Sequence, residues 1–159
     1  MKVAGARELP IKPERAWELL QDPNVLSKAI PGCQSLVRTG ENQYELKLKM
    51  LLASLSGDFI GKVTLADHEP PTRFRMIVEG SGKIGFLKGE GMLTLSSVLS
   101  GTEVAYDGEA QIGGKMASVG QRLIDTTAKL MVKRFFKKLV KQGFGQDPDI
   151  EDEDETNDL

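Results

Sequence analysis

The spacing of apolar residues in this chain changes period partway along, and that change limits the fold more than any other feature. Between residues 34 and 112 apolar side chains recur at every second position. From about 115 to 142 they recur at every third or fourth. A period of two puts alternate side chains on opposite faces of a strand, and a period near 3.6 builds one stripe on a helix. In 44–52, Tyr44, Leu46, Leu48, Met50 and Leu52 alternate with Glu45, Lys47 and Lys49. Phe59, Gly61, Val63 and Leu65 share one parity, as do Phe74, Met76 and Val78, then Leu93 and Leu95, then Val104, Tyr106, Ala110 and Ile112. Gly40-Glu41-Asn42, Ser56-Gly57, Glu69-Pro70-Pro71, Gly80-Ser81-Gly82 and Ser100-Gly101 separate them. Strands joined by short turns predict an antiparallel meander with one apolar face.

Two shorter signals precede the meander. Residues 2–9 read as a strand, and Pro13 to Leu20 as a helix with proline in its first turn and Ala16, Leu19 and Leu20 on its apolar side beside Trp17. Asp22-Pro23 opens a second short helix, with Asp22 as its cap, running to about Ala29. After Gly113-Gly114, the positions Ala117, Gly120, Ile124, Ala128, Met131, Phe135 and Leu139 predict one long helix from about 115 to 142, ended by Gly143. With 159 residues the chain has room for one core, so sheet and helix must share it. The fold class is α+β: a curved antiparallel sheet of about seven strands wrapped on a long C-terminal helix, with a cavity between them that one helix does not fill.

Composition narrows the chemistry. One cysteine, Cys33, excludes an internal disulfide and a multi-cysteine zinc site. The start meets Arg7 before an apolar stretch can form, and the longest uninterrupted apolar run is Met50 to Ala53. We therefore expect no signal peptide and no membrane span, and a cytoplasmic protein whose membrane contact, if any, is peripheral. The formal charge of −2 hides a partition: eight acids and no base lie between Asp147 and Leu159, which leaves 21 bases and fifteen acids in 1–146. A basic domain over 1–145 and a disordered acidic tail over 146–159 are the expected units.

The inward parity nominates a ligand-binding set: Tyr44, Leu46, Leu48, Met50, Phe59, Val63, Leu65, Phe74, Met76, Val78, Leu93, Leu95, Tyr106 and Ala110 from strands, with Ile124, Ala128, Met131 and Phe135 from the helix. Small residues on the helix (Gly120, Thr127, Ala128) and adaptable methionines favour a pocket, and Tyr44 and Tyr106 each offer one hydroxyl. The same helix carries Lys129, Lys133, Arg134, Lys137, Lys138 and Lys141 with no acid among them, a candidate surface for anionic lipid or an acidic partner. The acidic tail is expected to compete for it. Nucleic acid is not expected, because no aromatic side chains interleave on a strand platform.

Other motifs lead elsewhere. Gly80-x-Gly82-x-x-Gly85 matches a dinucleotide fingerprint as text, but a strand rather than a helix follows, so a sharply bent hairpin is the reading. A nucleophilic pair of Cys33 and His68 needs adjacency and an orienting third group; a buried thiol and a solvated turn are the expectations instead. Arg7 shares parity with Val3, Gly5 and Leu9 and reads as edge-strand exposure. Neither a catalytic residue, a metal ligand nor a cofactor is nominated.

Several of these segments together resemble a known family: Pro13-x-x-x-Ala16-Trp17-x-Leu19-Leu20, Asp22-Pro23, Ile30-Pro31-Gly32-Cys33, Gly57-x-Phe59-x-Gly61-x-Val63, Gly101-Thr102-x-Val104-x-Tyr106 and Gly113-Gly114-Lys115-Met116-Ala117-x-Val119-Gly120. Over about 2–142 the chain is similar to the carbon monoxide dehydrogenase CoxG-like family of the Bet v 1/START-like (SRPBCC) superfamily. The resemblance implies the helix-grip fold, a hydrophobic cavity and a non-catalytic role beside a molybdenum hydroxylase of the CO dehydrogenase type. The roles implied are membrane recruitment of that enzyme and carriage of a lipophilic quinone. Longer relatives continue into a hydrophobic anchor where this chain has its acidic tail. Two further readings stay open: an enzyme of cyclase or hydrolase type using Tyr106, Arg7 or His68, and an interaction module docking through Lys133, Lys137 and Lys138.

Overall fold

The computed structural model describes residues 1–144, so the expected acidic tail lies outside the described residues. The elements run β1 (Lys2–Leu9), α1 (Pro13–Gln21), α2 (Pro23–Ala29), β2 (Cys33–Gly40), β3 (Gln43–Leu52), β4 (Leu55–Glu69), β5 (Arg73–Gly82), β6 (Gly85–Val98), β7 (Gly101–Gly113), a 3-10 segment (Gly114–Val119) and the long α3 (Gln121–Phe144). The seven strands form one sheet in the order β1-β7-β6-β5-β4-β3-β2, antiparallel at every pairing. First and last strands pair, so α1 and α2 carry the chain from one sheet edge to the other. This curved sheet gripping a long C-terminal helix is the α+β arrangement that the periods predict.

Local chemistry sets the elements. Pro13 occupies the first turn of α1, and Asp22 caps α2 by accepting a hydrogen bond from the Asn24 amide at 2.9 Å. Ala16, Leu19 and Leu20 are buried on the apolar face of α1. Thr102 is fully buried and donates its hydroxyl to the Ile11 carbonyl at 2.7 Å, fixing β7 to the link between β1 and α1.

The long helix departs from expectation at both ends. It begins at Gln121, because Gly120 takes a φ of +98° and separates α3 from the 3-10 segment. Gly143 lies inside α3 and does not end it. A Cβ there would stand 3.0 Å from a Leu19 methyl, so the glycine lets α3 approach α1 closely.

The apolar interior has two parts. The larger joins α1, α2 and the far end of α3 to the sheet through residues such as Leu19, Leu20, Phe74, Leu95, Val104, Phe136 and Leu139. The smaller, at the opposite end, gathers Leu52, Phe59, Ile84 and Met116. No helix among the described residues is long and apolar enough to cross a membrane.

Candidate functional site: an apolar cavity between sheet and helix

Between the two clusters the concave face of the sheet and α3 enclose a cavity of about 370 Å³. Its floor is a patch of small residues. Gly89 and Gly91 of β6, and Gly108 and Ala110 of β7, share the inward parity with Leu87, Leu93 and Tyr106. Strand alternation turns the side chains of Glu90, Asp107 and Glu109 to the convex face, where Asp107 pairs with Lys2 at 2.9 Å and Glu90 with Arg75 at 3.6 Å. These acids border the cavity through their backbone alone. The walls are Met50 and Leu52 of β3, Met76 and Val78 of β5, Ile112 of β7 and Met116 of the 3-10 segment. Ile124, Thr127, Ala128, Met131 and Val132 of α3 form the roof.

Polar side-chain atoms are few. Tyr106 lies at the β1 side, and its ring stacks on Phe136 with centroids 6.0 Å apart. A Cβ on Gly5, its cross-strand partner, would stand 2.6 Å from the Tyr106 hydroxyl oxygen, so glycine makes the room in which that phenol lies. The hydroxyls of Tyr106 and Thr127 are the polar side-chain groups of this lining, which otherwise solvates hydrocarbon. A second recess, of about 270 Å³, shares Met1, Val3, Tyr106, Ala128 and Val132 with the cavity and adds Lys2, Ala4, Asp125 and Lys129. It marks the β1–α3 side as the polar rim.

Nine residues of the sequence-nominated set line this cavity: Met50, Met76, Val78, Leu93, Tyr106, Ala110, Ile124, Ala128 and Met131. The other nine stand elsewhere. Tyr44, Leu46, Val63, Leu65, Phe74 and Leu95 are buried in the larger cluster, with Leu48 and Phe135 packed against it, and Phe59 is in the smaller one. They face inward, but α1, α2 and neighbouring strands fill the space above them. Tyr44, 4% exposed, is therefore a core residue and brings no hydroxyl to the cavity. On α3 the buried aromatic is Phe136, and Phe135 sits edge-on to it at 5.1 Å.

Sequence reasoning passed over Leu52, Leu87, Ile112, Met116, Val132 and the glycine floor. Leu52 and Ile112 carried the right parity. Glycines at 89, 91 and 108 carry no hydrophobicity, so only their phase with Leu93 and Tyr106 could have placed them.

The remaining candidates are dispersed. His68, near the end of β4, bonds Gln21 Oε1 through Nε2 at 3.0 Å and stacks on Phe74 with centroids 6.1 Å apart, Trp17 meeting its edge. It is thus part of an aromatic cluster outside the cavity lining, not a solvated turn residue. Cys33 starts β2 half-buried, and desolvation raises its thiol pKa, the opposite of what an activated nucleophile needs. Arg7, opposite Val104, is half-buried and outside the lining. Gly82 and Gly85 flank the β5–β6 turn and lead into a strand, so the fingerprint-like glycines shape a hairpin. Among the basic residues of α3, Lys129 is exposed at the rim, whereas Lys133, Arg134, Lys137, Lys138 and Lys141 are half-buried. Among the described residues, no group of three or more His, Cys, Asp or Glu side chains is arranged to hold a metal ion.

Comparison with known proteins matches this architecture. A conserved protein of known crystal structure from Geobacillus kaustophilus is 35% identical, superposes with a TM-score of 0.86, and is covered over 95% of its length by 90% of this chain. The Zhui aromatase/cyclase from Streptomyces sp. R1128 superposes at 0.62 with 9% identity, over 90% of this chain and 93% of its own. Ara h 8.0201 does so at 0.64 with 11% identity, over 92% and 99%. At those identities the last two show the shared helix-grip fold. No curated protein matches the chain. The family model for the carbon monoxide dehydrogenase component CoxG matches residues 5–142. With that span matched, and the strand, glycine and helix signals all inside it, the chain belongs to the carbon monoxide dehydrogenase CoxG family.

Proposed function

We propose that this protein binds an apolar small molecule, quinone- or lipid-like, in the cavity between sheet and α3, and holds it without chemical change. The observation that carries the reading is the lining: a cavity of about 370 Å³ walled by methionine, aliphatic and glycine positions, with Tyr106 and Thr127 as its hydroxyl-bearing side chains. Such a site removes hydrocarbon from water and can give one or two hydrogen bonds to a carbonyl or alcohol. Titratable residues that an enzymatic reading would use are placed apart, His68 among aromatic rings and Arg7 on the edge strand. Family membership supports a carrier or accessory role beside a molybdenum hydroxylase of the CO dehydrogenase type, with any membrane contact peripheral.

Native mass spectrometry of the gently purified full chain tests this, followed by titration with a short-chain quinone. The expected result is one apolar molecule per chain, carried through purification or taken up in the titration. Failure to retain or take up any apolar molecule, with the fold intact, contradicts the reading.

A further inference from the structure

All six methionines of the chain border the same cavity. The alternation of β6 turns the Met92 side chain to the convex face, in register with Arg75 and Asp107. The remaining five come from five different segments. Met1 precedes β1, and Met50, Met76, Met116 and Met131 belong to β3, β5, the 3-10 segment and α3. They surround the space from separate sides. At its edges the Met1 sulphur accepts a hydrogen bond from Gln121 Nε2 at 3.6 Å, and the Met116 side chain lies over Gly85.

A methionine side chain is unbranched and turns about three bonds, so it changes shape at little energetic cost; Leu, Ile and Val hold one or two rotamers. A pocket built for one rigid ligand gains from fixed walls, because pre-organised contacts need no ordering on binding. Here the walls are adaptable and the floor of Gly89, Gly91 and Gly108 offers no side-chain relief against which a single shape would register. Hydroxyls from Tyr106 and Thr127 add little orientation.

We propose that these methionines set the ligand range of the cavity: they let it accept uncharged apolar molecules of different shapes, flat rings and flexible chains alike, by repacking around each. The inference rests on the reading of the cavity as a ligand site and adds that the site is broad rather than tuned to one molecule.

Displacement of fluorescent phenylnaphthylamine from the full chain measures it, with menadione as a flat competitor, farnesol as a branched one and tetradecanol as an unbranched one. The expected affinities of the unaltered protein for the three lie within about tenfold of one another, as adaptable walls allow. In the triple variant Met50→Leu, Met76→Leu, Met131→Leu the volume is nearly kept and the flexibility lost, so the spread should widen to about a hundredfold. Met92→Leu, on the far face, should leave the spread unchanged. Protein with every methionine replaced by norleucine keeps the unbranched chains and should keep the range. The three single substitutions carry the same comparison if the triple variant does not fold.

A hundredfold preference of the unaltered protein for one competitor overturns the inference and leaves the ligand-binding reading standing. Binding of none of the probes overturns both. An unchanged spread in the leucine variants, or a narrowed range in the norleucine protein, overturns the inference as well.

Discussion

Across the β6–β7 pair, Gly108 and Gly91 bring two backbones closer than side chains allow. A Cβ on Gly108 would stand 2.6 Å from the Glu90 carbonyl oxygen and 3.0 Å from the Gly91 Cα. The obstacle is backbone, so relief means flattening the sheet at the cavity floor. At Gly5 the obstacle is the end of the Tyr106 side chain, which can swing aside. Gly108→Ala should therefore cost about 1–3 kcal/mol in urea unfolding, in the manner of overpacked sites, and Gly5→Ala distinctly less. The reverse ranking would show that the β6–β7 pair yields more easily than the phenol. These two positions also show why half of the site was hard to read. Inward glycine makes empty space, and empty space leaves no mark in a hydrophobic pattern.

At the scale of elements, the alternation in 34–112 was enough to place the strands, because a half-buried strand must obey a period of two whatever packs on it. The order of the two short helices followed from Pro13, Asp22 and Pro23, whose constraints are local. Legibility failed where the answer depended on distant neighbours. Gly120 and Gly143 look alike in a helical pattern, yet one breaks the chain with a positive φ and the other admits Leu19 within α3. Likewise Tyr44, Leu46 and Phe74 share the inward parity of Met50, Met76 and Tyr106, but α1 and α2 cover the first group and leave the second facing open space. The helix that roofs this space makes its own prediction. Ala128 is small and half-buried over the cavity, so Ala128→Trp puts an indole into the volume a ligand needs. Apolar probe affinity should fall by about tenfold or more as that volume is filled. Unchanged affinity with an intact fold would place the binding site elsewhere.

For the whole molecule, two separate packed clusters explain how a chain of ordinary size can keep a cavity. The larger one, built on α1, α2 and the distal half of α3, and the smaller one, built on Leu52, Phe59, Ile84 and Met116, hold the sheet and α3 apart at both ends of the void. Stability thus resides beside the site rather than in it, and the lining is free to be soft. The methionine methyl groups report on this, because five surround the cavity and Met92 lies across the sheet. NMR of the full chain with isotope-labelled methionine methyls, titrated with farnesol, shows where the ligand goes. The resonances of Met50, Met76, Met116 and Met131 should shift together and saturate with one ligand per chain, while Met92 stays in place. Saturable binding that moves Met92 and leaves those four unmoved would put the ligand outside the cavity and defeat the carrier reading.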